Sequence, residues 1–278
     1  MRLNNQHILL TGATGGIGRE LALLLAAQGA RLALVCHDRS ALQALQHEVD
    51  AAAAPVSGAQ AVTIVADFRH VHAAQGVADA ALQQLGHVDM LINNAGILDF
   101  TAYEQQSPAR ISDIMQVNVT TPMLLTRALL PQMLHQQRGH IVNIGSMYGS
   151  IGFPYYASYS ASKFAMRGFS QALRRELADG PLDVSYVAPR AVRTRINDSR
   201  AAAMMQATGT TQDAPHWVAQ RILQAVLARQ EECYLGQPES LFAWLNGVLP
   251  KLVSQGLRKQ ARIARHYVYP AVINGDSA

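Results

Sequence analysis

The chain is poor in cysteine, in lysine and in charge of any kind. Cys36 and Cys233 are the only two cysteines in 278 residues. Their separation argues against a disulfide framework and fits a reducing, cytoplasmic setting. Charged residues make up 15% of the chain against 49% hydrophobic ones, enough for one large core. No apolar run reaches the ~20 residues that a membrane-crossing helix needs. The opening Met1-Arg-Leu-Asn-Asn-Gln-His7 lacks the long apolar region of a signal peptide. No Cys/His grouping has metal-ligand spacing, so no metal is expected, and neither repeats nor low-complexity linkers are present. The formal charge of +4 falls wholly in residues 241–278, which hold five Lys/Arg and one acid. The body is therefore neutral, which argues against nucleic acid as a partner.

The scarcity of lysine makes one residue stand out. Lys163 is the only lysine before residue 241, among seventeen arginines. Tyr159 lies four residues earlier, at the start of the apolar-periodic segment Ala161, Phe164, Ala165, Phe169, Ala172, Leu173 and Leu177. On a helix that spacing stacks both side chains on one face. An ammonium favours a nearby phenolate, so Lys163 is expected to lower the phenol's pKa from its usual ~10 into the range of general acid–base work. Ser146 follows the apolar run His140–Gly145, a buried strand whose carboxyl end faces the ligand crevice of an open α/β sheet. The other reading of the pair, an ordinary surface Tyr/Lys contact, is weighed against the tight-site chemistry that distinguishes lysine from arginine.

Strands and helices alternate along the chain. Strands are expected at 7–11, 31–36, 61–66, 88–92, 140–145 and 183–188. Helices are expected at 19–28, 40–49 and 70–85, then from 108 to 137 with a kink near Asn118 and Pro122, and again after Tyr159. This pattern predicts an α/β chain: one doubly wound, Rossmann-type parallel sheet in a single three-layer αβα domain over 1–240, with an extension over 241–278. The first strand enters Gly12-Ala-Thr-Gly-Gly-Ile-Gly18, and glycines at such a turn let a diphosphate approach free N–H groups at a helix start.

Taken together, Thr11-Gly-x-x-x-Gly-Ile-Gly18, Asp67, Asn93-Asn-Ala-Gly96, Asn118 in Val-Asn-Val, Ser146, Tyr159-x-x-x-Lys163, and Pro189 with Val192 and Thr194 resemble the single-domain short-chain dehydrogenases/reductases over about residues 5–235. The resemblance implies an oxidoreductase moving hydride between a nicotinamide cofactor and a carbonyl or alcohol, in a homodimer or homotetramer. It implies Tyr159 as the acid/base, Ser146 holding the substrate oxygen, Lys163 on the nicotinamide ribose, and Asn118 anchoring a relay water. It further implies that Gly12, Thr14, Gly16, Ile17 and Gly18 cradle the diphosphate. Asp67, Asn94, Ala95 and Gly96 would flank the adenosine; Pro189, Val192 and Thr194 would meet the nicotinamide end. Arg190 stands where the family usually has glycine. A non-catalytic NAD(P)-binding regulator on the same fold is the competing reading, although a sensor need not keep a proton relay.

Cofactor choice is read from the end of the second strand. NAD-selective sites place an acid there for the ribose 2′-hydroxyl. Here Cys36 occupies that place, followed by His37, Asp38 and Arg39. His37 and Arg39 could meet a 2′-phosphate, which favours NADP(H) over NAD(H); a solvated helix start is the alternative. Tyr148, Phe153 and Tyr156 are candidate substrate contacts, and Met204 and Met205 in the 194–213 loop suit an apolar substrate or plain packing. In the extension, Pro238 opens a helix with Leu241, Trp244, Leu245, Val248 and Leu249 on one face, and Pro250 starts a second, basic segment. The extension fits a peripheral membrane contact, or packing on the body or across a subunit interface, near the pocket in either case.

Overall fold

The structure is a computed structural model that describes residues 3–237 and 239–269. Seven strands form one parallel sheet: β1 (His7–Thr11), β2 (Arg31–Cys36), β3 (Val62–Val65), β4 (Met90–Asn93), β5 (Gly139–Ile144), β6 (Leu182–Ala188) and β7 (Glu232–Tyr234), in the order β3-β2-β1-β4-β5-β6-β7. A parallel sheet buries both faces, so its strands read as continuous apolar runs. Period-two alternation divides them. Ile8, Leu10, Leu32 and Leu34 pack on α1 (Gly16–Ala27), α2 (Arg39–Ala53) and α8 (Pro215–Leu227). Leu9, Ala33 and Val35 pack on the opposite layer with α3 (Ala73–Leu85), α5 (Thr121–His135) and α6 (Ala157–Glu176). The three-layer, doubly wound αβα arrangement is the one read from the sequence.

Chain order reverses between β1 and β4, which leaves a crevice at their carboxyl ends, where ligands bind in open α/β sheets. Most element ends lie within one to four residues of the sequence reading, which did not include the seventh strand β7, and two differences bear on the site. The third helix begins at Ala73, because residues 69–72 form a turn after β3. The long segment 108–137 is two helices, α4 (Pro108–Met115) and α5, joined by a π-helical turn over Gln116–Thr120 that contains Asn118. A π turn is a frequent device for displacing one residue from a helix face.

Beyond the sheet, α7 (Ser199–Ala207), α9 (Glu239–Val248) and α10 (Pro250–Val268) gather over the carboxyl end of the strands. Val253, Ala264 and Val268 of α10 are buried, and the latter two join Phe100, Tyr156, Ala201, Met204 and Met205 in a separate apolar cluster. The second tail segment thus packs on the body. The Pro238 helix start and residues 270–278 lie outside the described residues. No described helix is long and apolar enough to cross a membrane.

Candidate active site

The glycine turn after β1 is fixed by contacts that leave no room for side chains. Gly12 has φ +63°, and a Cβ there would sit 2.7 Å from Ala95 Cα; one on Gly18 would overlap the Gly12 carbonyl oxygen. A Cβ on Gly16 would approach Thr194 Cγ2 to 2.5 Å. Thr11, inside the motif but unassigned from sequence, is the clasp: its hydroxyl accepts from the N–H of Asn94 and of Ala95, both at 3.0 Å. Asn94 Nδ2 returns bonds to the carbonyls of Thr11 and Gly12, each at 3.0 Å. The two loops therefore form one rigid rim at the helix start of α1.

Asn118 is swung inward by the π turn and is buried. Its amide pairs with both main-chain groups of Ile97, accepting from N at 2.8 Å and donating to O at 2.9 Å. Its second amide hydrogen reaches Ser162 Oγ at 3.0 Å, and Ser162 donates to the carbonyl of Tyr159 at 2.7 Å. The side chain is thus engaged with protein groups, so a water would have to be held by the main chain of the π turn.

Ser146 follows β5 and accepts from the N–H of Tyr148 at 3.1 Å, which leaves its hydroxyl proton for the oxygen of Tyr159. Beneath it lies Tyr186 of β6, fully buried, whose ring fills the space a Cβ on Gly145 or Gly149 would need. That pedestal is legible only as two glycines facing an aromatic across neighbouring strands. Tyr159 sits in the first turn of α6, and Lys163 lies one turn on, its Nζ 5.6 Å from the ring centroid. Lys163 Nζ donates to the Ile144 carbonyl at 3.1 Å.

The expected acidification of the phenol is not found here. Burial pushes Tyr159 up to about 12, opposed only by the Ser146 hydrogen bond. Burial also draws Lys163 down to about 8. The amine is aimed at a carbonyl and at the ring face rather than at the phenol oxygen, so desolvation prevails for both groups.

One cleft of about 1820 Å³ joins these parts. Gly12, Thr14, Gly16, Ile17, Gly18, His37, Asp67, Asn94, Ala95 and Gly96 line one end. Ser146, Tyr148, Phe153, Tyr156, Tyr159, Lys163, Pro189, Val192 and Thr194 line the rest. Arg39 and Asn118 are the exceptions: Asn118 is buried behind the wall, while Asp38 caps α2 through the Ala41 N–H, which makes Arg39 the exposed first residue of the helix, outside the cleft wall. The Asp67 carboxylate lines the cleft but is held by Arg69, which keeps it at about 2. Arg190 also lines the cleft, with its guanidinium engaged by protein groups. Its Nε and Nη2 make a paired contact with Asp213, both at 2.9 Å, and Nη1 reaches the Gln237 carbonyl.

The open wall is aromatic. Tyr148 stacks on Phe153 with centroids 4.4 Å apart and meets Tyr159 edge-on at 5.7 Å. Tyr156 stacks on Phe100 at 5.1 Å, and its buried hydroxyl has no hydrogen-bond partner among the described residues. Phe242, Leu245, Leu252, Val253 and Leu257 from α9 and α10 extend the wall, which is how the tail comes to face the cleft.

Comparison with known proteins agrees with this geometry. A family model described as short chain dehydrogenase matches residues 6–204. The chain is 35% identical over 271 residues to Dehydrogenase/reductase SDR family member 7B of Bos taurus, covering 95% of this chain and 83% of that one. It is 33% identical over 237 residues to the ketoacyl reductase HetN of Nostoc sp., covering 84% and 80%. Among solved structures, a short chain dehydrogenase/reductase from Burkholderia phymatum in complex with NAD superposes with TM-score 0.80 at 25% identity, over 91% of this chain and 96% of that one. A metagenomic short-chain oxidoreductase in complex with NADP gives 0.69 at 31% identity, over 84% and 96%.

Proposed function

The chain belongs to the short-chain dehydrogenase/reductase family, and we propose that it reduces an apolar ketone or aldehyde, or oxidises the matching alcohol, with Tyr159 as the acid/base. The observation that carries this reading is the meeting of Ser146, Tyr159 and Lys163 at the inner end of a cleft whose other end is the glycine rim. That rim fits a dinucleotide: its glycines stand where any Cβ would collide, and the cleft beside it is open. Gly12–Gly18 would hold the diphosphate, Lys163 the ribose, and Pro189, Val192 and Thr194 the nicotinamide end. When bound, the dinucleotide supplies or takes the hydride.

The chain's own part is the proton. A phenol raised to about 12 is protonated at neutral pH, the form that gives a proton to a carbonyl oxygen, and is a weaker acid than a free phenol. Ser146, oriented by the Tyr148 N–H, would hold that oxygen. Lys163, drawn down to about 8, would hold the nicotinamide ribose and stand as the proton source behind the phenol, with a water on the main chain of the π turn completing the relay. Tyr148, Phe153, Met204 and Met205 would exclude bulk water and admit an apolar substrate.

NADP(H) is favoured over NAD(H). No carboxylate from the end of β2 lines the cleft, since Asp38 is spent on the α2 cap, while His37, Arg19 and Arg69 do line it. The two solved relatives carry one cofactor each, so the preference rests on these residues. A fluorescence titration should give tighter binding of NADPH than of NADH. A panel of carbonyls of rising chain length should then give kcat/KM values that rise with apolar size. Equal cofactor affinities would remove the first part, and turnover confined to small polar carbonyls the second.

A further inference from the structure

Helix α9 leaves an apolar ridge uncovered. Leu241, Trp244 and Val248 are 57%, 65% and 58% exposed, and Leu249 and Leu252 continue the ridge into α10. At about 100° per residue, positions 241, 244 and 248 fall on one side of the helix. Ala243 faces the body, and Asn246 Nδ2 donates to the Ser150 carbonyl at 2.8 Å, which fixes α9 beside the turn that carries Ser146. The ridge is continuous with the cleft mouth, since its neighbours Phe242 and Leu245, and Leu252 itself, line the cleft.

Helix α10 adds charge of one sign. Val253, Ala264 and Val268 face inward, so the same helical arithmetic puts Lys251, Arg258, Lys259 and Arg262 on the opposite, solvent side, with Arg265 flanking. All five are exposed, and none of them forms a salt bridge among the described residues. Such a cationic stripe beside an exposed Leu/Trp/Val ridge is the composition of a helix pair that lies in a bilayer interface. A second copy of the chain fits worse: a two-fold contact through this face would bring two like-charged stripes toward each other.

We propose that α9 and the solvent side of α10 dock on a bilayer bearing anionic headgroups, setting the cleft mouth against the lipid so that an apolar carbonyl enters without crossing water. The entry route rests on the reductase reading above; the docking does not.

Sedimentation of the full chain with vesicles tests it. Phosphatidylcholine containing phosphatidylserine should bind the protein at least tenfold more tightly than phosphatidylcholine alone, with the advantage lost as salt rises. The triple variant Leu241→Ser, Trp244→Ser, Val248→Ser should bind anionic vesicles at least tenfold more weakly while turnover of a short soluble carbonyl stays unchanged. With Trp217→Phe as background, Trp244 emission should shift to the blue on vesicle binding. Equal, weak partition to both vesicle types would overturn the docking. So would a triple variant that binds vesicles normally but turns a dimer into a monomer in sedimentation velocity, which would give the ridge to a second copy. An inactive protein that still binds anionic vesicles would sink the reductase reading alone.

Discussion

Lys163 Nζ lies 5.6 Å from the centre of the Tyr159 ring, yet it spends a hydrogen bond on the Ile144 carbonyl at 3.1 Å. That bond fixes the amine at the strand end, beside Gly96, where a Cβ would stand 3.7 Å from it. The site therefore selects a compact donor on a flexible stem, and a planar guanidinium cannot occupy the same space. Lys163→Arg should lose dinucleotide affinity and turnover together. Tyr159→Phe should keep affinity, read by fluorescence titration, and lose turnover by roughly 10²–10⁴-fold. Retained turnover in the phenylalanine variant would remove Tyr159 from the chemistry and leave room for a non-catalytic role.

Lys163 also makes stability depend on pH. Its folded value near 8 lies below the ordinary 10.5, so from pH 8 to 10.5 the unfolded chain binds more protons than the folded one. Stability contributed by this group therefore rises with pH across that window. At neutral pH the buried amine costs about 3 kcal/mol by the size of the displacement. Lys163→Met should be more stable than the parent at pH 7, and the gap should narrow toward pH 10. Tyr159 opposes this above pH 10, where the unfolded phenol ionises and the folded one does not. Denaturant titrations at pH 7, 8.5 and 9.5 would read the effect; a gap independent of pH would contradict it.

His140 gives the acid side. It is buried between β5 and β6, and burial first, then Arg229, lowers it to about 4. Ser185 donates its hydroxyl proton to the Gln230 carbonyl at 2.6 Å, so at 2.8 Å it accepts from His140 Nε2. Between pH 6.5 and 4 the unfolded chain takes up the proton and the folded one resists, so stability falls as pH falls through that range. The loss approaches about 3 kcal/mol at pH 4. In His140→Gln the slope of unfolding free energy between pH 6.5 and 4 should flatten, whatever that variant costs at pH 7.

Much of this was legible from residue order because the chemistry is local. The strand–glycine–helix turn, the Tyr159–Lys163 step on α6 and Ser146 at the end of β5 each follow from a period or a spacing. What escaped depends on neighbours far along the chain. The direction of the Lys163 hydrogen bond is set by β5, the exposure of Arg39 by the Asp38 cap, and the space under Ser146 by Tyr186 of β6. Pro122 and Asn118 did mark a break in the long helix. That the break is a π turn depends on the Asn118 amide docking on Ile97, a contact across 21 residues that no local spacing encodes.

Arg190 is the clearest case of a residue whose meaning lies in a distant partner. Its paired contact with Asp213 closes the base of the 190–213 segment, and Asp213 adds main-chain bonds to Ala191 and Arg193 at 2.9 and 3.0 Å. That segment carries α7, which places Met204 and Met205 over the aromatic wall. Both side chains of the pair are largely buried, 14% and 11% exposed. Removing one charge strands the other, a cost of roughly 2–3 kcal/mol, somewhat under that of a fully buried pair. Asp213→Asn should lower stability by this amount and speed hydrogen exchange in residues 194–212, with KM for an apolar substrate raised more than kcat is lowered. In a double-mutant cycle, Arg190→Gly with Asp213→Asn should cost less than the two single changes together, since neither charge is then left alone. Strict additivity, with exchange in the loop unchanged, would mean that the pair does not hold the segment and that the methionines are placed by α10 instead.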